Sequence, residues 1–293
     1  MTTLIKVGFC VAYDWNLLRN SLPLIYTHSN SICLSLDRNR VSWGGEKFDF
    51  DEQSFSSFMK EIDQDRKIRI LEDDFCLAGQ SAAENEVTQR REMAKFLGDG
   101  GWHIQLDADE YFIDFFSFTK FLFSLPKRNY SYNVCCRLIT LFKQSPGGFL
   151  IVDPLNVGNA EYIQIASLTP SYLHGRRNGH FNLYVNFSIV HQSWARSDEE
   201  ILQKLKNWGH INDFNTHDYF TFWKTVTEEN HLAVKNFHPI IPARWPSLRF
   251  VKASSISDFM VELNQFRLPK LSSVQSIVKN SRLISKIKQL LKK

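Results

Sequence analysis

The sequence lacks the marks of several common protein classes. It holds five cysteines, Cys10, Cys33, Cys76, Cys135 and Cys136, an odd set in which no spacing matches a zinc module. That argues against a disulfide scaffold and leaves five reduced, small core residues of a cytosolic chain. No apolar run is long enough to span a bilayer. The nearest candidate, residues 112–125, is interrupted by Asp114 and Lys120. The start shows no basic leader or small-residue cleavage site, so no secretory signal is expected. Internal repeats and low-complexity segments are absent. Acidic residues are missing after Glu262, where Arg267, Lys270, Lys279, Arg282, Lys286, Lys288, Lys292 and Lys293 follow. Without those eight, the formal charge of +4 becomes about −4. The basic character is a property of the tail and not a nucleic-acid footprint over the whole chain.

What is present is ordinary globular material. With 293 residues there is enough chain for a sizeable core. Residues 4–11 read as a buried parallel strand, residues 15–26 as a helix kinked by Pro23, and residues 31–36 as a second strand. A helix at 54–62, a strand at 68–71, a helix at 82–97 and a strand at 102–106 complete an alternation that predicts a doubly wound α/β layer. In such sheets ligands bind beyond the carboxyl ends of the strands. Asp14, Asp37, Glu72, Asp73, Asp107 and Asp109 all fall at such ends. The second half reads as shorter strands at 133–142, 149–152, 161–165, 181–184 and 187–191, then helices at 198–208 and 217–227. Ser197 and Glu200 form a capping box for the first of these.

Two carboxylates at i and i+2, just past a buried strand, can converge on one hard dication such as Mg²⁺ or Mn²⁺. Such an ion neutralises charge building on a departing diphosphate. Taken alone, Asp-x-Asp is also a common solvated turn. Its setting, Gly101-Trp-His-Ile-Gln-Leu-Asp-Ala-Asp-Glu-Tyr-Phe112, resembles the W-x-x-x-L-D-x-D-E-F segment of GT-A-fold glycosyltransferases in and around family two. The similarity covers residues 5–112 in order of elements. The family's Asp-Asp-Gly-Ser string is absent, and Leu36-Asp37-Arg38 stands in its place.

The resemblance implies a GT-A-like doubly wound mixed sheet flanked by helices. Residues 1–112 would form the nucleotide-sugar half, 113–250 the acceptor half, and 251–293 a helical C-terminal extension. It implies Asp109 as the direct metal ligand, Asp107 nearer the ribose and the metal-bound water, and His191 completing the metal shell. Tyr13, Asp14 and Asp37 would meet the nucleobase or ribose. Arg90 or Arg91 would reach the diphosphate, unless they simply pair with Glu86 and Glu92 on an exposed helix face. Arg196 and Lys204 suit phosphate, Lys204 equally being a helix C-terminal cation. Glu110 is either a group behind the metal ligands or a helix cap. His191 is otherwise a strand-end histidine bonded to backbone. An inverting enzyme needs a carboxylate base, for which Asp153 and Glu161 occupy the corresponding middle segment. The polar loop His174-Gly-Arg-Arg-Asn-Gly-His180 reads as a solvated turn in preference to an acceptor contact.

In the tail, Leu271, Val274, Ile277, Ile284, Ile287 and Leu291 share one helical stripe beside the basic residues. That predicts an amphipathic helix for an anionic membrane surface; packing on its own domain is the rival reading. The functional expectation is a metal-dependent transferase, peripheral on the inner face of the cell membrane. It would move a sugar from a nucleotide-sugar, UDP-linked for preference, to a glycan or lipid-linked acceptor such as a lipopolysaccharide or capsule precursor. The rivals are a nucleotidyltransferase or other Asp-x-Asp phosphotransfer enzyme, and an inactive glycan-binding module.

Overall fold

A computed structural model describes residues 4–126, 128–155, 160–207 and 213–290. Its frame is one ten-stranded mixed sheet with helices against it. Strands β1 (Ile5–Val11), β2 (Ser31–Asp37), β3 (Ile68–Asp73) and β4 (Trp102–Asp107) run parallel in the order β3-β2-β1-β4. Every residue of β1 is buried, because both faces of the strand are covered. Ile5, Val7, Phe9 and Val11 join Leu18, Leu22 and Ile25 of α1 (Leu18–Ile25) and Phe55 and Phe58 of α2 (Glu52–Ile62) in the main core. The alternate residue Cys10 packs with Cys33, Met93 and Leu97 under α3 (Ala82–Leu97). Gly8 lets α3 lie close: a Cβ there would stand 2.7 Å from the Met93 sulfur. Helix α3 starts on a capping box of Ser81 and Glu84, which satisfies two amides that the first turn would leave unpaired.

Beyond β4 the sheet turns antiparallel. The short β5 (Glu110–Phe112) pairs with β9 (Phe181–His191), which runs parallel to the long β6 (Tyr132–Ser145). On its other edge β6 pairs first with β8 (Tyr162–Ser167) and then with β7 (Gly148–Val152). Strand β10 (Leu248–Lys252) extends the sheet past β7. Cys135 and Cys136, on opposite faces of β6, are both buried, as a sheet covered on both sides requires. The two strands expected at 181–184 and 187–191 are one, since β6 offers a partner along the whole length, with one register shift.

Helix α4 (Phe115–Ser124) follows the Asp107–Asp109 turn, but Glu110, weighed as a helix cap, lies in β5 and does not cap it. Asp114, which reads as a break in an apolar run, is its N-cap and accepts from the Ser117 amide at 2.9 Å. Helices α5 (Asp198–Asn207) and α6 (Thr216–Thr225) follow β9. Helix α7 (Ile256–Gln265) packs Phe259, Met260 and Leu263 against Phe149 and Tyr111. The division expected at 250 and 251 falls inside β10.

The tail is two helices, α8 (Ser273–Lys279) and α9 (Arg282–Leu290), where the stripe suggested one. Asn280 breaks it: its side chain bonds the Tyr184 amide at 2.8 Å and carbonyl at 3.0 Å, tying α8 to β9. Leu271 is buried, while Val274, Ile277, Leu283 and Ile287 are exposed. Leu291, Lys292 and Lys293 lie outside the described residues. Among the described residues, no helix is long and apolar enough to cross a membrane.

Candidate active site

The turn that joins β4 to β5 carries Asp107 and Asp109 at the carboxyl edge of the parallel strands. Cys10 of β1 sits in register with Asp107, so the residues just after β1, including Asp14, face the same edge. Pairing of Glu110 with His191 and of Thr140 with His191 brings the end of β9 beside the turn. The Gln192 amide donates to the Asp109 carbonyl at 2.9 Å. The Tyr111 hydroxyl holds the Gln192 side chain at 2.5 Å. Sheet pairing thus fixes the turn and the segment after β9 against one another.

A layer of ion pairs fills this corner. Asp107 takes Arg90 on one oxygen at 2.9 Å and Arg176 on the other at 2.8 Å. Arg176 also pairs with Glu110 at 2.8 Å, and the Glu110 carboxylate accepts from the Asp107 amide at 3.0 Å. Arg90, on the inner face of α3, is pinned by Glu86 at 2.9 Å and by Gln105 at 3.3 Å. Arg196 lies between two carboxylates, 2.5 Å from Asp109 and 3.0 Å from Asp14 through the same nitrogen. Its Nε donates to the Gln192 carbonyl at 3.1 Å. His191 Nε2 stands 3.4 Å from the same Asp109 oxygen. Lys204 is buried on α5, donates to Ser193 at 2.9 Å and adds charge nearby.

The titration of the corner follows from this geometry. Burial pushes the Asp107 carboxyl up, but Arg176 and Arg90 outweigh it and leave it below the usual range. Asp109 is held well below that range, against burial, by His191 and Arg196. Burial raises Glu110 and Asp14 despite their arginine partners. Burial, with Arg196 adding to it, pulls the Lys204 ammonium down to about 8. Three guanidinium donors in the corner are buried without a hydrogen-bond partner: Arg176 Nε, Arg176 Nη1 and Arg196 Nη1. Each such group costs about 1–3 kcal/mol if nothing meets it.

Of the residues singled out in the sequence, Asp14, Arg90, Asp107, Asp109, His191, Arg196 and Lys204 come together here. Tyr13 adjoins the corner, its ring edge-on to Phe48 at 6.3 Å. Arg91 points elsewhere and donates to the Tyr172 carbonyl at 2.8 Å. Asp37 shares the strand-end edge, but four backbone amides, of Asn39, Val41, Phe75 and Cys76, occupy its two oxygens. It organises the loops after β2 and β3. Asp153 and Glu161 lie across β6 from His191, beside a small cavity that Arg137 and Thr140 also line. Asp153 pairs with Arg249 at 3.0 Å, and Glu161 accepts from Trp245 at 3.1 Å.

Sequence reasoning missed Arg176. The loop read as a solvated turn folds inward at a tight His174–Arg177 bridge with Gly175 at φ 54°, and Arg176 and Asn178 are buried. Two arginines between glycines, a turn able to bury one of them, was the available signal.

The expected metal ligands are neighbours, yet they do not form a metal cage. Both Asp107 oxygens and one Asp109 oxygen are taken by guanidinium groups. Among the described residues, no group of three or more His, Cys, Asp or Glu side chains could hold an ion. A hard dication needs several oxygen ligands around one point, and the donor set in this arrangement does not fit one.

The chain matches no protein-family model and no curated protein. Among solved structures it is similar to S. aureus TarS residues 1–349, with 7% identity, TM-score 0.28, and coverage of 49% of this chain and 37% of that one. It is similar to GalNAc-T7, solved with UDP, GalNAc and Mn²⁺, with 11% identity, TM-score 0.39, and coverage of 75% and 50%. Both are glycosyltransferases of GT-A type, and the similarity spans half of their chains or less. A third is 4-diphosphocytidyl-2C-methyl-D-erythritol synthase, with 11% identity, TM-score 0.32, and coverage of 91% and 100%.

Proposed function

We propose that the protein is a nucleotide-sugar-dependent glycosyltransferase whose donor diphosphate is received at the carboxyl edge of β1 and β4. The observation that carries this reading is the ring of buried cations around Asp107 and Asp109, with three guanidinium donors still unpaired. A diphosphate presents several strong acceptor oxygens, and arginine meets them in a planar fork. Asp14, Asp107 and Asp109 hold the guanidinium groups in place. The reading needs no step through a metal ion. Asp153 and Glu161 are the proposed acceptors of the hydroxyl proton from the incoming glycan.

For the acceptor, a lipid-linked precursor of a surface glycan suits the exposed Val274, Ile277, Leu283 and Ile287 beside Lys279 and Arg282. These groups would set the chain on an anionic membrane face.

The test is donor hydrolysis and transfer with UDP-, GDP- and CMP-sugars, run beside nucleoside triphosphates. Release of a nucleoside diphosphate from a UDP- or GDP-sugar supports the proposal, and turnover of the CMP-sugar alone would take the diphosphate out of it. Pyrophosphate released from a triphosphate would replace it with nucleotidyl transfer. Turnover of neither would leave a binding module.

A further inference from the structure

We infer that Arg196 stands where a bridging dication would stand, so that the diphosphate of the donor is bound without a metal ion. This rests on the reading of the corner as the donor site. The sequence pattern calls for an ion on Asp107, Asp109 and His191. The structure puts a guanidinium against Asp109, with Nη2 of Arg196 2.5 Å from it and 3.0 Å from Asp14 of the neighbouring strand end.

Arg196 is not a surface side chain that has settled there by default. Its side chain is 2% exposed, and its inner end is fixed by the Gln192 carbonyl. Gln192 is fixed in turn by Asp109, Tyr111 and Ala195. A dication entering between Asp14 and Asp109 would have to expel this group from a closed network and leave its charge buried, which proteins tolerate poorly. Asp107 offers no second foothold, since Arg90 and Arg176 hold both of its oxygens.

The same network leaves guanidinium donors unspent. Arg196 Nη1, Arg176 Nε and Arg176 Nη1 are buried and unpaired. An ion would supply charge to a diphosphate through shared coordination. These arginines supply it through direct, charge-assisted hydrogen bonds. The ligand class is a diphosphate ester, and the recognition is by guanidinium.

The test is calorimetric titration of the full chain with UDP and with GDP, first in EDTA and then in millimolar Mn²⁺. The expected result is binding of at least one nucleotide with Kd changed less than about threefold by the metal. In EDTA, Arg196→Lys should weaken that binding by about tenfold or more, because an ammonium cannot span both carboxylates and a phosphate. Binding that requires Mn²⁺, or that tightens about tenfold with it, overturns the inference and leaves the donor-site reading standing. Binding of neither nucleotide in either buffer removes both. Mn²⁺ electron paramagnetic resonance gives an independent readout on the native chain. The free-ion signal should persist when protein and nucleotide are mixed, beyond what nucleotide alone removes, and extra loss of signal on adding protein overturns the inference.

Discussion

Arg90 shows how much of the corner hangs on single side chains. It is 1% exposed and bonded to Glu86, Gln105 and Asp107. Arg90→Met should fill the volume but leave Asp107, whose side chain is 33% exposed, with Arg176 alone, destabilising the fold by about 1–3 kcal/mol. Urea denaturation measures this, and a loss under about 0.5 kcal/mol would mean that solvent and Arg176 together satisfy Asp107. Asp153 and Glu161 make a contrasting pair, placed across β6 from His191 beside the cavity that Arg137 lines. If one of them is the base, Asp153→Asn or Glu161→Gln should lower kcat by about 10²–10⁴ with donor affinity unchanged. Equal activity in both variants would move the base elsewhere. His103 gives a prediction about pH. Its imidazole is buried beside Lys6, and burial, with Lys6 adding to it, lowers its pKa to about 4. The unfolded chain therefore takes up a proton near its ordinary pH while the folded chain stays neutral. Stability is retained above that range and falls as pH drops toward 4, by about 3 kcal/mol. His103→Gln should flatten this part of the stability curve, and an unchanged slope would assign the loss to the carboxylates instead.

At the scale of elements, much was legible because the apolar pattern is simple. Strands β1, β2 and β4 are buried on both faces, so they read as continuous apolar runs, and α3 announces itself by its Ser81–Glu84 box and by the glycines that end it. The Asp107–Asp109 turn was legible for the same reason, since it follows a strand with clear ends. What was not legible depended on partners distant in sequence. Helix α4 looked like a broken apolar run because Asp114 caps it. Arg176 looked solvated because only tertiary packing draws its loop under Asp107. Asp37 resembled a nucleobase or ribose contact by position, and only the folded loops show four amides on it. Gly148 tests the packing of these elements directly. A Cβ there would lie 2.2 Å from the Val251 carbonyl oxygen on the paired strand. Gly148→Ala should push β10 off β7 and destabilise by about 3 kcal/mol or more. Ser81→Ala, which removes only a cap, should cost about 1 kcal/mol. Thermal melts of the two would rank them, and a milder Gly148 variant would show that β10 can shift freely.

On the scale of the whole molecule, the two ends of the design are physically separable. The cation corner sits at the carboxyl edge of the parallel strands, while the tail docks along the opposite end of β9 through Asn280 and Tyr184. Exposed apolar side chains on α8 and α9 lie beside Lys279 and Arg282, and no acidic residue follows Glu262. Apolar insertion and attraction to anionic headgroups act together on such a surface, each basic group adding about 1 kcal/mol. Ile277→Asp combined with Leu283→Asp removes two exposed apolar groups and adds two negative charges without touching Asn280. The double variant should keep its nucleotide affinity and its melting temperature, while co-sedimentation with phosphatidylglycerol vesicles falls by about tenfold or more. Vesicles of phosphatidylcholine alone should bind neither protein well. Equal sedimentation of the native chain and the double variant with anionic vesicles would show that α8 and α9 face a protein surface or their own domain, and the lipid-linked acceptor would lose its support while the donor site kept its own.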